Sequence, residues 1–502
     1  MLLGGWAALV LAHYRLLCLP YFWDEAGYYA LAAVDFYRQH LLIPHSTWSL
    51  GHTPLGAVYV GTAWRLFGLS PCVARVAMLL MAAATVVATY ELGSRVFRRP
   101  SGREMAAWAA LLLAVSPLFF AQSAMLHIDL PAALFITLAI IALLERRMAL
   151  FALAGSLAVL SKETSAIFLP VAWIHAWRQR RELRAIGWAG LLSPMLVAIA
   201  WTVYNHHHTG FWTGNAQYLQ YNIYSTLNPI RFLLSLARRL YQLLLGGFGW
   251  VLTVGAFLGL RRQRRRETGT QIPGEAPPLD ASAAKLRDLL FLGAGLCTSY
   301  LLFHSIVGGA LLRRYLLPAF PVFYLGAIWC LWELPRRLAR GFSAAAAVLF
   351  VAAWFLNGFY SFEFESNLAY ADFVRLHQEA AHYLEQRGED ARILTTWPAT
   401  GELTQPFLGY VTRPLRVIPI EDFGETSLIE VRPESFDLLY LYSRKSESLR
   451  KGVMQVPLVQ QLNRRYFDYV PQISDDVLID HFHLRLMKAF ERHGQWVRIY
   501  SN

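Results

Sequence analysis

Eleven apolar runs divide this sequence, at about 2–19, 73–97, 104–121, 130–145, 148–161, 165–177, 185–204, 241–260, 288–307, 315–332 and 342–360. A run of about 20 apolar residues reads as a transmembrane helix, because lipid offers backbone groups no partner outside the helix itself. Composition agrees: 56% of the 502 residues are hydrophobic, 16% are charged, and mean hydropathy is +0.34. The expected fold class is a polytopic α-helical membrane protein with about 11 transmembrane helices. The fifth and sixth runs are short, so Leu150 to Trp177 also fits a tilted or re-entrant hairpin around Ser161, Lys162 and Glu163.

The net charge of +12 does not indicate nucleic acid, because the basic residues fall in short clusters between apolar runs. Loops after even-numbered runs hold Arg98, Arg99 and Arg103; Arg146 and Arg147; Arg178, Arg180, Arg181 and Arg184; Arg261 to Arg266; and Arg336, Arg337 and Arg340. The first long loop after an odd-numbered run holds Arg38, and the loop around His127 holds no basic residue before Asp129. The positive-inside rule then places the N-terminus in the cytoplasm and the C-terminal segment outside, in what is expected to be a bacterial inner (plasma) membrane. The first run lacks a basic flank, yet no small-residue cleavage site precedes Trp23, so it is read as a true helix and not a signal peptide.

Three segments stand apart from the spans. Residues 1–360 form the membrane domain, with a first outer loop at 20–72 and a cytoplasmic linker at 261–287 rich in arginine, proline and small residues. In the loop, Tyr28 to Gln39 has helical spacing and suggests an interfacial helix, followed after Gly51–Leu55 by a second ending at Phe67 and Gly68. From 361 to 502 the pattern changes to short alternating stretches, Ala391–Thr396 and Phe436–Tyr442, between helical segments Phe373–Arg387 and Val459–Tyr469. A C-terminal extracytoplasmic α/β domain is expected. Cys18, Cys72, Cys297 and Cys330 are scattered in or beside apolar runs, with no CxxC and no pattern suited to a disulfide framework in the exposed tail. No phosphate loop or GxGxxG is present, so no nucleotide cofactor is expected.

The densest candidate site is the first outer loop, where Asp24 and Glu25 follow an apolar run directly and His40, His45 and His52 lie close by. Carboxylates at a membrane edge are costly unless they face water, a cation or a reacting group. The order Asp24-Glu25, His52-Thr53-Pro54-Leu55, Phe67-Gly68, Ala74-Arg75 resembles the GT-C glycosyltransferases of the protein O-mannosyltransferase and aminoarabinose (lipid A) transferase kind. His127-Ile128-Asp129-Leu130-Pro131, Ser161-Lys162-Glu163 with Leu169-Pro170, and Arg314-Tyr315-Leu316-Leu317-Pro318 extend the resemblance over about 15–335.

The resemblance implies a GT-C fold and transfer of a sugar from a polyprenyl-phosphate donor to a protein, lipid or glycan acceptor on the outer face, with inversion. It implies that Asp24 is the catalytic carboxylate and Asp129 the second acidic position, with Glu25 as a neighbour that tunes Asp24 or binds metal. Lys162, Arg313 and Arg314 are then outer-face cations for the donor phosphate. His52 stands where the aminoarabinose transferases have lysine; it is read as a phosphate contact or, with Asp24, as ligand to a divalent metal. Each residue has a plainer reading: a solvated helix start for Asp24 and Glu25, an N-cap for Asp129, a mutual pair for Lys162 and Glu163, headgroup anchors for Arg313 and Arg314, and loop polarity for His52 and for His206 to His208. The alternative function is a transporter or flippase of lipid-linked sugars, but its usual midplane charges and inverted repeats are not evident.

Overall fold

The computed structural model describes residues 1–97, 100–179, 185–269, 281–356, 363–387, 390–444, 456–467, 473–480 and 482–502. The centre of the cytoplasmic linker and several of the arginines used for sidedness lie outside these residues. Helices occupy each of the eleven apolar runs. Among the described residues four helical segments are long and apolar enough to cross a membrane alone: Pro71–Val96, Gly187–Thr209, Ala283–Ile306 and Arg313–Leu331. A fifth candidate is a bent pair, and Leu2–Ala12, Asp129–Leu144 and Met148–Ser161 are shorter apolar helices.

Lipid is the solvent that these surfaces suit. Along Ala185–Thr209 the exposed residues Leu192, Leu196, Ile199 and Val203 follow the spacing of one helix face. The inner faces approach closely through small residues: a Cβ on Gly93 would sit 2.9 Å from Ala106 Cβ, and one on Gly155 would sit 2.7 Å from Pro194 Cγ. Some buried hydroxyls bond back into their own helices, as Thr85 does to Met81 O and Thr137 to Ala133 O.

The short fifth and sixth runs form helices Met148–Ser161 and Phe168–Arg178, joined through a tight turn at Glu163–Ile167. The eighth run, expected at 241–260, is not one helix. An amphipathic helix Pro229–Leu244 turns by 103° into Trp250–Gly269. The break is at Gly247, whose φ of +60° suits glycine, and Arg313 braces it by donating from Nε to Gln242 O (3.0 Å) and from Nη2 to Gly246 O (3.0 Å).

In the first long loop a π-helical turn Glu25–Tyr29 runs into helix Ala30–Gln39, and Leu55–Phe67 follows, matching the two helical segments expected there. Cys18 and Cys72 form a disulfide with Cα atoms 4.6 Å apart. Spacing did not show this pairing: the chain folds back over a sequence separation of 54 and returns to its starting point.

The C-terminal segment contains β1 (Ile393–Thr396), β2 (Val417–Ile420), β3 (Leu438–Tyr442), β4 (Arg485–Arg492) and β5 (Gln495–Ser501) in the order β2-β1-β3-β5-β4. β1 pairs in parallel with β2 and β3, while β5 is antiparallel to β3 and β4. β1 and β3 are the two strands expected; helix Ala369–Gln386 packs on the sheet through buried Phe373, Leu376, Ala380 and Leu384. This unit is seated on the first outer loop. Tyr21 N donates to Leu408 O, Tyr410 Oη donates to Tyr21 O (2.8 Å), and Trp23 packs edge-on against Trp397 and Tyr442 and beside Phe373.

Candidate active site

Asp24 follows Trp23, whose φ of +44° lies in the left-handed region that a bulky residue enters only under constraint. Three aromatic rings of the C-terminal unit hold Trp23 there. The turn parts the two neighbouring acids. Glu25 is fully buried and faces away from the site: Oε1 accepts from Leu126 N (2.7 Å), and Oε2 accepts from Phe22 N (2.9 Å) and faces Arg75 (3.4 Å). Arg75 also donates to Leu19 O, Pro20 O and Ala124 O. The expectation of Glu25 as a catalytic or metal-binding acid is thereby corrected: it ties the first loop to the loop before Asp129.

Asp24 points into a cluster centred on the buried guanidinium of Arg314. Nη2 of Arg314 donates to Asp24 Oδ2, and Nη1 donates to Glu365 Oε2 (2.5 Å). Nε faces Asp129 Oδ2 at 3.4 Å without the alignment of a hydrogen bond. Asp129 Oδ1 accepts from Lys162 Nζ at 2.6 Å. The side chain of Asp24 is 24% exposed, whereas those of Asp129, Glu365 and Arg314 are at or below 5%. Asp24 is therefore the carboxylate of this cluster most open to an entering molecule.

Several alternatives fall with this geometry. Asp129 is not an N-cap; it sits inside the first turn of Asp129–Leu144 and bonds outward to Lys162. Lys162 and Glu163 do not pair with each other. Glu163 faces His52 Nδ1 at 3.3 Å, on the flank of the cluster, where His52 is ringed by Tyr28, Tyr29 and Tyr218. Burial pushes the Glu163 carboxyl up, but the charge and hydrogen bond of His52 and the charge of Lys162 outweigh it and hold it below its ordinary value. Arg313 is committed to the helix break and not to the cluster. Among the described residues no three His, Cys, Asp or Glu side chains gather as a metal cage. The pair Asp24 and His52 does not fit a metal, since the first is engaged by Arg314 and the second by Glu163.

Sequence reasoning missed Arg239, Glu365 and the role of His127. Arg239 is buried on the Pro229–Leu244 helix; its Nε and Nη2 have no hydrogen-bond partner among the described residues. Its guanidinium lies 5.6 Å from the Tyr315 ring centre, with Lys162 Nζ at 4.2 Å and Arg314 at 5.7 Å. Three cations thus surround one ring. The signal was the stripe Arg231, Ser235, Arg239, Gln242, which repeats at helical spacing and is buried throughout. His127 is pushed well below its usual pKa by burial and then by Arg314, Arg75 and Lys162, so it is neutral. Its Nδ1 lies 2.7 Å from Gln122 Oε1 and donates to it, leaving Nε2 to accept from Arg314 Nη1 at 3.3 Å.

Residues 51–204 match the family model described as dolichyl-phosphate-mannose-protein mannosyltransferase. The fold resembles the crystal structure of ArnT from Cupriavidus metallidurans bound to undecaprenyl phosphate, with a TM-score of 0.55 and 14% identity, over 98% of this chain and 97% of that one. The apo structure of the same protein gives a TM-score of 0.55 and 14% identity over 99% and 98% of the two chains. No curated protein matches the chain in sequence. The resemblance drawn from the sequence motifs is borne out by the fold along the chain and by the family model within 51–204.

Proposed function

We propose, from the premise that this chain has the fold of the GT-C glycosyltransferases, that it is an integral-membrane enzyme moving a sugar from a polyprenyl-phosphate donor to an acceptor hydroxyl on the extracytoplasmic face. The observation that carries this reading is the juxtaposition of one partly exposed carboxylate, Asp24, with the buried cations Arg314, Lys162 and Arg239 around Tyr315. Undecaprenyl phosphate bound to ArnT supports a lipid phosphate as the donor class. The disulfide supports an outer-face position for the loop between Cys18 and Cys72, because disulfides persist in oxidising compartments.

The acceptor oxygen forms a bond to the anomeric carbon as the bond from that carbon to the phosphate oxygen breaks. The electron pair leaves on the phosphate, and the acceptor proton passes to Asp24. A single displacement of this kind inverts the anomeric centre. Lys162, Arg239 and Arg314 offset the charge developing on the departing phosphate, with Asp129 fixing Lys162 and His52 contributing from the flank.

Purified protein in liposomes, supplied with undecaprenyl-phosphate-linked sugars and candidate protein, lipid and glycan acceptors, tests this reading. Asp24→Asn is expected to reduce transfer by about 10²- to 10⁴-fold while retaining undecaprenyl phosphate binding. Transfer by that variant at the wild-type rate overturns the assignment of the base. Passage of the lipid-linked sugar across the bilayer with no glycosyl transfer replaces the enzyme with a flippase.

A further inference from the structure

Both terminal nitrogens of Arg314 are engaged, Nη2 by Asp24 and Nη1 by Glu365 and His127, while Nε faces Asp129 at 3.4 Å without a hydrogen bond. A phosphate that pairs with these terminal nitrogens replaces one of their acceptors. Asp24 is needed as the base and Asp129 is tied to Lys162. Glu365 is different. It arrives from the segment after the last membrane helix, its backbone oxygen accepts from Gln122 Nε2 (3.3 Å), and its buried Oε1 has no hydrogen-bond partner among the described residues.

We propose that Glu365 is a positioning residue of the reaction centre, holding Arg314 in register with Asp24 while the site is empty and yielding its place to the donor phosphate when the lipid arrives. The proposal rests on the polyprenyl-phosphate reading above. The charges facing Glu365 are Arg314 on the Arg313–Ala319 turn, Asp24 on the first loop, Asp129 at its helix start, and Glu363, itself paired with Arg238; His127 beside them is neutral. Burial lifts the Glu365 carboxyl to about 8, against the pull of Arg314 and with help from Asp24, Glu363 and Asp129. Below that pH it is protonated, and Asp24 and Asp129 balance Arg314 and Lys162. Above it, a third negative charge opposes the phosphate.

The test is titration of the full-length protein in detergent with undecaprenyl phosphate from pH 7 to pH 9. Wild-type affinity is expected to fall about tenfold over this range, the factor that exclusion of an ionised group of pKa about 8 gives. Glu365→Gln is expected to bind as tightly at pH 9 as at pH 7, because it keeps a carbonyl acceptor for Arg314 and cannot ionise. A second readout needs no variant: calorimetry of the wild type at pH 9 in buffers of different ionisation enthalpy is expected to show uptake of about one proton on binding. Equal pH dependence in wild type and Glu365→Gln, weaker binding by Glu365→Gln at both pH values, or binding without proton uptake each overturns the proposal. Absence of wild-type binding at every pH instead overturns the polyprenyl-phosphate reading, and the proposal with it.

Discussion

Asp24 and Glu25 differ by one methylene and one position, yet they enter opposite environments. The same division occurs at Lys162 and Glu163, where the first reaches Asp129 and the second His52. Neither pair lies within regular α-helix or strand, so no fixed period says which way a side chain points. That is why both acids were candidates in the sequence and only Asp24 reaches the Arg314 cluster. The two predict opposite phenotypes. Glu25→Ala leaves Arg75 fully buried and without its carboxylate, an arrangement that costs about 3–5 kcal/mol. A lowered melting temperature in detergent is expected, measured against Asp24→Asn, which should melt near the wild type; equal melting of Glu25→Ala and wild type would refute the structural role.

Among the elements, the interfacial helices and the strands with plain alternation were legible, because burial of one face imposes its own period. The bend after Pro229–Leu244 was not: hydropathy runs through Gly246 and Gly247 without interruption, while the chain turns by 103°. β4 was hidden by its charged, largely exposed residues, although Val497 and Ile499 in β5 carried a readable alternation. The junction between the first loop and the C-terminal unit depends on Gly27. A Cβ there would meet the Trp397 indole at 2.2 Å. Gly27→Val is expected to unseat Trp397, free Trp23 from its left-handed conformation and lower transfer at least tenfold, with faster proteolytic cleavage of the C-terminal unit as the physical readout. Unchanged cleavage and unchanged turnover would show that the contact does not position Asp24.

At the scale of the molecule, the disulfide is in keeping with the sidedness proposed from the arginine clusters, and labelling tests it. In inside-out and right-side-out vesicles, a membrane-impermeant maleimide applied after reduction is expected to label exposed Cys18 from the outer side only. Labelling from the cytoplasmic side would reverse the topology. The Cys18→Ser and Cys72→Ser double variant is expected to lose about 2–4 kcal/mol of stability without losing transfer, since the bond lies outside the Arg314 cluster.

The sequence by itself determined the solvent, the run of helices, the two helices of the first long loop, the α/β character of the tail and Asp24, and the motif resemblance added Asp129, Lys162 and Arg314. The elements and Asp24 follow from local rules, since hydropathy and periodicity act over one helix or strand and a charge beside an apolar run stands out, whereas the other three rest on the order of the shared motifs. Only the tertiary structure decided that Arg239 and Glu365 join them, that Glu25 and Arg313 do not, and that Cys18 meets Cys72. Arg314 is 290 residues from Asp24 and 51 from Glu365. Over such separations partners are chosen by how the helices pack and by which charges can be buried together, and neither is written in the neighbourhood of any one residue.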